Sequence, residues 1–495
     1  MNAADAPAAP PGRSTYATAS WVFLRGLGVV YLIAFASLWV QIDGLIGSKG
    51  ILPAQEFLTA VGGHFGAQRY WVVPTLCWFD CSDAFLRGIC ALGAVCSFAI
   101  VLDVAPVAAL FGSWVAYLSL VSIGQDFLSF QWDALLLEAG WLAIFLAPLH
   151  LWPNSHDPPP RYLAVWLLQW LLFRLMFSSG LVKLASGDAT WRNLTALLYH
   201  YETQPLPTWI GWYAHQLPAW FQQLSCGLLL IIELAVPWLI FGPKLARRMA
   251  CAALVGLQLI IAATGNYCFF NLLTVLLCLL LLDDPVWPAA WRRQRAIEAP
   301  TTTARRWPAW LLVALAVLVV PVSLVEIGGR WIVRGRWMVP LVMAEQGISP
   351  FRLVNGYGLF AVMTTERSEI VIEGSRDGHT WQPYEFTDKP GELRRPPRFV
   401  APHQPRLDWQ MWFAALSSYR QSPWFLQYCR RLLEGSPAVL ALLSHNPFPE
   451  SPPRYLRAVV YDYHFTTPAG RRTEGAWWRR AYKGLYCPVL SLKSR

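Results

Sequence analysis

Long apolar segments recur through the first two-thirds of the chain, and they constrain the fold more than any other feature. A helix needs about 20 apolar residues to cross a bilayer core of about 30 Å. Because lipid offers the backbone no hydrogen-bond partners, such segments are expected to be helical. We interpret nine of them as membrane spans, at residues 21–40, 84–102, 106–123, 134–151, 162–181, 221–241, 248–264, 267–282 and 308–325.

Charged residues are scarce before residue 325 and common after it. They make up 14% of the 495 residues, against about 25% in globular proteins. This distribution predicts a disordered cytoplasmic tail at 1–20, an α-helical polytopic membrane domain at 21–325 and a C-terminal non-cytoplasmic α+β domain at 326–495. The formal net charge of +10 does not indicate nucleic acid. The basic residues lie in loops beside apolar spans, where the lipid bilayer is the expected partner.

The basic residues also predict the orientation of the spans. They cluster in two loops, one between the sixth and seventh spans and one between the eighth and ninth. Two crossings separate these loops, so both lie on one side, which the positive-inside rule makes cytoplasmic. The N-terminus is then cytoplasmic as well. The non-cytoplasmic side receives the C-terminal domain and four segments: 41–83, 124–133, 182–220 and 265–267.

The segment 199–209 is unusually polar for its position between two spans. Its sequence is Tyr-His-Tyr-Glu-Thr-Gln-Pro-Leu-Pro-Thr-Trp, and the two prolines forbid a continuous helix. Polar groups held at a membrane tend to be functional, because their solvation there is costly. The segment is predicted to be an interfacial or re-entrant loop. Its candidate contact residues for a client protein or a ligand are Tyr199, His200, Glu202, Gln204 and Trp209.

Several opposite charges are expected to pair in a buried cluster near the same face, namely Arg174, Lys183, Asp126, Asp133, Glu138 and Glu233. Asp133 and Glu138 either stabilise a helix start or form an acidic site open to the outer face. Lys183 either extends to the membrane interface or serves as a base. The cluster is therefore structural or functional. The candidate catalytic residues are Lys183, Asp133, Glu138 and His200.

Common enzymatic and metal motifs are missing from the sequence. It contains no HExxH, Walker, GxSxG or GxGxxG motif. Two histidines without a third ligand at a recognisable spacing make a weak metal signal, so neither a metal nor a cofactor is predicted. Cys77 and Cys81 lie in an expected outer loop and could form a disulfide in an oxidising compartment.

The sequence pattern changes to short strands and helices after the last span. Residues 369–373 and 381–386 alternate like strands, and Asp377-Gly378 between them predicts a hairpin. Helices are predicted near 408–418, 424–433 and 438–443, and a strand at 455–465. The domain is expected to combine a small sheet with a helical insertion.

Several long motifs resemble the lipase maturation factor family. They are Phe130-Gln-Trp-Asp133 with Leu137-Glu-Ala-Gly140, the segment Tyr199–Pro207, Gly265-Asn-Tyr-Cys-Phe-Phe-Asn271 and Ala401-Pro-His-Gln-Pro-Arg-Leu-Asp-Trp409. The resemblance covers most of the chain. It adds four further candidate contact residues: Asn266, Asn271, His403 and Trp409.

Members of that family are multi-pass proteins of the endoplasmic reticulum membrane, with a luminal C-terminal domain, that assist the folding of secreted lipases. The resemblance therefore implies a chaperone-like, non-enzymatic maturation factor whose partners are secreted client proteins. The composition, rich in Ala, Arg and Trp, resembles that of a high-GC bacterial protein. In that case the membrane would be the plasma membrane.

A shorter segment resembles the vitamin K-dependent carboxylases and supports an alternative function. It is Phe177-Ser-Ser-Gly-Leu-Val-Lys-Leu184, followed by Trp191. In those enzymes a lysine at the position of Lys183 acts as the base. The alternative is a membrane enzyme that acts on a lipid or quinone-like substrate with Lys183 as base. A transporter ranks third, since the sequence has no obvious inverted repeat.

Overall fold

The computed structural model describes residues 15–154, 158–292, 306–328 and 339–492. Most of the predicted N-terminal tail therefore lies outside the described residues, as does much of the basic loop before the last span. The first helix begins at Ala17, within the predicted tail. Its first turn is held there because the carboxylate of Asp284 accepts hydrogen bonds from the backbone N–H groups of Ala17 and Thr18.

Helices make up the membrane part of the chain. They are α1 (Ala17–Trp39), α2 (Ile42–Ile46), α3 (Ala54–Phe65), α4 (Arg69–Val72), α5 (Asp83–Val101), α6 (Pro106–Ile123), α7 (Gln131–Leu146), α8 (Tyr162–Ala185), α9 (Ala189–Arg192), α10 (Leu197–Thr203), α11 (Trp209–His215), α12 (Ala219–Leu234), α13 (Lys244–Thr264), α14 (Phe270–Leu279) and α15 (Ala309–Gly328).

Seven described helices, rather than the nine expected, are long and apolar enough to cross a membrane. They are α1, α5, α6, α8, α12 with its 3₁₀ continuation to Phe241, α13 and α15. The fourth and eighth expected spans correspond to α7, with 16 residues, and α14, with 10 residues. At 1.5 Å per residue these helices are about 24 and 15 Å long, shorter than a bilayer core.

Local sequence explains why α7 is shorter than the apolar run that contains it. Ala147 precedes Pro148 and is extended, with φ −67° and ψ 144°. A residue before proline disfavours the helical region, so the helix ends at Leu146. Leu149 and Leu151, which extend the apolar run, follow the helix and are exposed.

Most loops expected on the cytoplasmic side meet at one end of the helix bundle. Asp283, after α14, accepts a hydrogen bond from Arg248 at the start of α13, with a distance of 2.9 Å. Arg161, before α8, donates to the carbonyl of Trp307, before α15, at 2.8 Å. Tyr162 of α8 packs on Tyr16, with ring centroids 5.8 Å apart, and Asp284 after α14 accepts the N–H of Thr18. The start of α13 and the end of α14 therefore share one end of the bundle with the starts of α8 and α15.

The part after residue 338 contains a small sheet with helices around it. Its elements are α16 (Val339–Ile348), β1 (Ser368–Ser375), β2 (Gln382–Pro383), β3 (Glu385–Phe386), α17 (Arg406–Ala415), α18 (Pro423–Leu433), α19 (Pro437–Leu440), β4 (Leu443–His445), β5 (Tyr455–Phe465), α20 (Pro468–Glu474) and β6 (Trp478–Leu490). An antiparallel sheet has the order β2-β1-β5-β6, and β3 pairs with β4.

The predicted strands and hairpin of this part are present. In the β1–β5 ladder Ile370 lies opposite Val460. Asp377 closes the hairpin, because its carboxylate accepts the N–H groups of His379 and Thr380, and Gly378 has φ 78°. Strand β6 was not predicted. Its sequence, Trp-Arg-Arg-Ala-Tyr-Lys-Gly-Leu-Tyr-Cys-Pro-Val-Leu, lacks apolar alternation because most of its side chains are exposed.

Candidate functional site at the junction of the two parts

The polar segments expected on one face of the membrane part lie against the C-terminal part. We call this contact the junction. Its C-terminal side consists of residues 353–367, 398–412 and 464–465, and its membrane side of residues 37–41, 117–138 and 199–208 with 264–267. Charged and amide side chains on both sides are buried here. Buried polar groups are stable mainly when hydrogen-bonded, and most of these side chains have identifiable partners. The buried amide of Gln404 has none among the described residues.

The segment 199–209 forms two short helices with a break between them. Helix α10 ends at Thr203 and α11 begins at Trp209, as the two prolines require. Thr208 caps α11 by accepting the N–H of Gly211 at 3.1 Å. The predicted loop is therefore present as a helix break, and its backbone pairs with the chain after α13 through the Pro207–Gly265 bridge.

The side-chain amides of Gln204 and Asn266 hold this helix break in place through hydrogen bonds. Gln204 Nε2 donates to the carbonyl of Thr264 at 2.8 Å, and its Oε1 accepts from Tyr267 Oη at 2.9 Å. Asn266 Nδ2 donates to the carbonyls of Leu206 and Arg398 at 3.1 and 2.8 Å. Its Oδ1 accepts two backbone N–H groups, at residues 400 and 401. Asn266 thus joins the break to the C-terminal part.

Arg367 binds the carbonyls that the helix break leaves free. It is fully buried and donates to the backbone oxygens of Glu202, Gln204 and Pro205. The same guanidinium pairs with Glu369 at 2.7 Å. The planar guanidinium has five donors, which suits a cluster of carbonyls that a proline-containing turn exposes.

Glu202 is a buried junction carboxylate. Its Oε2 accepts the backbone N–H of Phe465 at 2.6 Å, and its Oε1 lies 2.9 Å from His464 Nδ1. Burial lowers the pKa of His464, but hydrogen bonds to Glu202 and Asp462 outweigh it and raise the pKa above its usual value. Burial lowers the pKa of His215, which faces the same carboxylate. This arrangement joins α10 to β5.

Asp133 is paired with an arginine from the C-terminal part. Arg406 contacts both carboxylate oxygens, at 2.8 and 2.9 Å, and donates to the carbonyl of Phe127 at 2.7 Å. Tyr117 donates to the same carboxylate. Asp133 and Arg406 are each about 1% exposed. The geometry is that of a buried bidentate pair, so the expectation of an acidic site open to the outer face is wrong.

Glu138, which lies further along α7 than Asp133, is also a buried carboxylate with partners from the C-terminal part. It pairs with Arg174 and accepts hydrogen bonds from Tyr357 Oη at 2.8 Å and from the backbone N–H of Asn355 at 2.9 Å. It is 0% exposed. Since its oxygens are taken by groups of α8 and of the segment after α16, Glu138 fastens the C-terminal part to the helix bundle.

The charges expected in one cluster form separate buried pairs instead. Lys183 pairs with Glu233 of α12, and its Nζ lies 2.8 and 2.9 Å from the two carboxylate oxygens. Asp126 is exposed. The pairing itself was expected. The separation into pairs was not expected, because Arg406, the partner of Asp133, was not among the residues predicted to form the cluster.

A cavity of about 500 Å³ lies beside the Lys183–Glu233 pair. Its wall is mostly apolar and comes from α8, α10, α12, α13 and α14. The structure places two further candidates, His200 and Asn271, in this wall. Burial and the nearby Lys183 lower the pKa of His200 to about 4, so its imidazole is neutral at physiological pH. The catalytic candidates Asp133 and Glu138 do not line the cavity.

The remaining contact candidates differ in exposure. Trp409 is 3% exposed and packs against Trp132, with ring centroids 4.7 Å apart. His403 Nδ1 lies 2.9 Å from Ser37 Oγ. Tyr199 and Trp209 are 37% and 43% exposed. Of the nine contact candidates, these two present the most surface to a protein client. Glu202, Gln204, Asn266 and Trp409 hold the junction together.

Cys77 and Cys81 are free thiols close enough to influence each other. Their interaction raises the pKa of Cys77 and lowers the pKa of Cys81. Their proximity is compatible with the predicted disulfide, which stays a prediction. Among the described residues no group of three or more His, Cys, Asp or Glu side chains could hold a metal ion.

The sequence patterns did not single out the partners on the C-terminal side, namely Arg367, Arg406, Asn355 and Tyr357. Arg406 lies within one of the family-like motifs, between Pro405 and Leu407. One signal was available, since an acidic residue inside an apolar segment needs a basic partner. Nothing in the sequence told which of the many arginines supplies it.

Comparisons with known proteins cover both parts of the chain. The sequence profile of the lipase maturation factor transmembrane domain matches residues 18–289, and that of the lipase maturation factor C-terminal domain matches residues 353–488. Human lipase maturation factor 2 is 39% identical over 95% of this chain and 82% of its own length. Bovine lipase maturation factor 1 is 35% identical over 98% of this chain and 93% of its own length. No solved structure matches the chain.

Proposed function

Because the chain belongs to the lipase maturation factor family, we propose that it is a multi-pass membrane protein that assists the folding or assembly of secreted lipases. The similarity to relatives named for lipase maturation over 95% or more of the chain carries this proposal. The junction supports it, because buried ion pairs hold the C-terminal part against the membrane part.

The proposed orientation has the C-terminal part and the junction on the non-cytoplasmic side. The meeting of α8, α13, α14 and α15 termini at the opposite, basic end of the bundle supports this orientation. Secreted lipases fold on the non-cytoplasmic side. The membrane is the endoplasmic reticulum membrane in a eukaryotic cell and the plasma membrane in a bacterium.

An exposed aromatic cluster at the junction is the proposed client-contact surface. Trp209 packs edge-on against Tyr213 and Phe399, with ring centroids 6.2 and 5.8 Å apart. All three side chains are more than 40% exposed. Aromatic side chains of this kind are enriched at protein interfaces, because they offer large contact areas at low entropic cost. A partly folded lipase exposes apolar segments that would bind such a surface.

The proposal is tested in cells that lack their own lipase maturation factor and express a secreted lipase together with this chain. The specific activity of the secreted lipase, per unit of lipase protein, should rise with the wild-type chain. The double variant Trp209→Ala/Phe399→Ala should lose most of that gain while it accumulates normally. Trp310→Ala is the control, because Trp310 is 71% exposed and lies on α15. Lipase activity that does not respond to the wild-type chain contradicts the proposal.

The geometry does not favour the alternative of an enzyme with Lys183 as base. An ammonium group has three N–H donors. Those of Lys183 point to the carbonyl of Ser179 at 3.1 Å and to both oxygens of Glu233. A general base needs an unprotonated amine within reach of the substrate. Here the amine is held as one partner of an ion pair.

A further inference from the structure

The cavity beside the Lys183–Glu233 pair has the size and openings of a lipid site. Its volume of about 500 Å³ falls within the range of about 300–1,000 Å³ found for small-molecule sites. Its rim includes Leu228 of α12 and Ile260 of α13, which are 50% and 60% exposed. Both helices are candidate membrane spans. The cavity therefore opens sideways between two spans, where a membrane lipid has direct access.

Hydrogen bonds at the polar end of the cavity determine the tautomer of His200. Because Gln204 Nε2 donates to a carbonyl, its Oε1 is the acceptor for Tyr267 Oη at 2.9 Å. The Tyr267 hydroxyl hydrogen is thus used, and its oxygen accepts from His200 Nε2, 3.3 Å away. A neutral imidazole with its proton on Nε2 has an acceptor at Nδ1. Within the described chain that Nδ1 has no hydrogen-bond partner.

Asn271 provides a second free acceptor in the wall. It is 6% exposed, and its Nδ2 donates to Gln258 Oε1 at 2.7 Å. Its Oδ1 accepts no hydrogen bond from any described residue. An acceptor in a mostly apolar wall that no protein donor reaches is poorly satisfied, so a ligand that supplies the donor gains free energy there.

The charge of the site excludes an ionic headgroup. Lys183 and Glu233 compensate each other, and the three ammonium donors already have acceptors. An anionic headgroup would meet the Glu233 carboxylate with no free cation, and a cationic one would meet Lys183. A headgroup that donates hydrogen bonds without carrying charge fits the free acceptors of His200 and Asn271.

From these contacts we propose that the cavity binds an uncharged membrane lipid with a free hydroxyl headgroup, whose hydrocarbon chain lies between α12 and α13. This inference does not depend on the proposed lipase maturation role. The hydroxyl donates to His200 Nδ1 or Asn271 Oδ1, and the apolar wall accommodates the chain.

Photo-crosslinking of the full chain in phosphatidylcholine nanodiscs tests the proposal. The probe is a diacylglycerol with a diazirine in one acyl chain. Two comparison lipids carry the same acyl chain, one with the hydroxyl acetylated and one with a phosphate in its place. We expect crosslinks in α12 and α13 with the hydroxyl lipid, and roughly three- to tenfold weaker labelling with the acetylated lipid, the value of one neutral hydrogen bond.

Two glycines provide a matched pair of variants. Gly256 lines the cavity, and a Cβ added there meets no atom within 4 Å. Gly88, on α5, has equally open space but does not line the cavity. Gly256→Leu should therefore fill the cavity and abolish labelling, whereas Gly88→Leu should leave it unchanged. Gly256→Ala, which fills less volume, should retain labelling and shows that the position tolerates a side chain.

His200→Phe and Asn271→Leu test the headgroup contact separately from the cavity. Each variant should reduce the preference for the hydroxyl lipid over the acetylated lipid without abolishing labelling by either. Equal labelling by the hydroxyl and acetylated lipids in the wild-type chain would overturn the proposal. Preferential labelling by the phosphate lipid, or unchanged labelling of Gly256→Leu, would overturn it as well.

Discussion

Individual charged side chains determine how the two parts of this protein are joined. Asp133, Glu138 and Glu202 lie in the membrane part, and each accepts hydrogen bonds from the C-terminal part. Burying a charge is expensive unless it is paired and hydrogen-bonded. The three carboxylates are therefore most stable when the C-terminal part is in place.

Arg406→Met should destabilise the protein strongly. Removing one partner of a buried pair leaves the other charge uncompensated and costs about 3–5 kcal/mol. Arg430→Ala is the control, since Arg430 forms an exposed pair with Glu434, and such pairs contribute about 0–1 kcal/mol. Thermal unfolding in detergent measures both. The double variant Arg406→Met/Asp133→Leu should recover part of the loss. Equal effects of Arg406→Met and Arg430→Ala would contradict the assigned pair.

His464 should make a pH-dependent contribution to stability. Its folded-state pKa is raised above 6.5, so the protonated form is favoured in the folded protein. The stabilisation is complete below the unfolded pKa and is lost as pH rises through the raised pKa. The difference in unfolding temperature between wild type and His464→Asn should therefore be largest at acidic pH and shrink over about pH 5 to 8.

The groups that face His464 provide the control for this prediction. Glu202 and Asp462 raise its pKa, and His215 lies near the same carboxylate. In a Glu202→Gln background the pH dependence of the His464→Asn effect should weaken, because the main partner is no longer charged. A difference that grows as pH rises would contradict the assignment.

At the scale of elements, the helix break between α10 and α11 depends on an arginine from another part of the chain. Pro205 and Pro207 end the helix, but they leave backbone carbonyls without intrahelical donors. Arg367 supplies those donors to the carbonyls of Glu202, Gln204 and Pro205. The break is therefore a local consequence of proline, and its fixed shape is a consequence of tertiary contact.

Arg367→Lys should loosen the break although it keeps the charge. A lysine cannot reproduce the planar fork, so at least one carbonyl and part of the Glu369 pair lose their donor. Hydrogen–deuterium exchange of the peptides that cover 197–216 should increase. Exchange in α18, which the variant does not touch, serves as the internal control. Unchanged exchange in 197–216 would show that the prolines alone hold the break.

At the scale of the whole molecule, the junction makes the two parts mutually dependent. The C-terminal surface that it covers includes Trp409, Trp412 and Arg406, all buried. Trp412 donates to the carbonyl of Thr203 in α10, at 2.8 Å. Without the membrane part these groups would be exposed or unpaired.

The C-terminal part produced alone, as residues 339–492, should therefore aggregate. Co-expression with residues 1–338 should restore a soluble or membrane-bound complex, because the buried carboxylates and aromatic side chains regain their partners. Size-exclusion chromatography of both samples measures the outcome. A monodisperse C-terminal part without its partner would show that the junction is dispensable for folding.

Much of the architecture follows from local patterns. Apolar runs predicted the seven long helices. The two prolines predicted the break at 204–208, and the alternation of apolar and polar residues predicted β1 and β5. Two of the expected spans, α7 and α14, are helices shorter than a bilayer core. Helix α7 ends early because Ala147 precedes a proline. Strand β6 escaped prediction because its exposed residues carry no alternating pattern.

The sequence by itself determined the class of this protein, an apolar helical part followed by a small α+β part, because helix and strand periods depend on near neighbours. Family-like motifs also marked Asp133, Glu202, Asn266 and Trp409 as special residues. Only the tertiary structure decided their partners. Asp133 and Arg406 are 273 positions apart, and such a pair forms only where packing brings both ends together and excludes water.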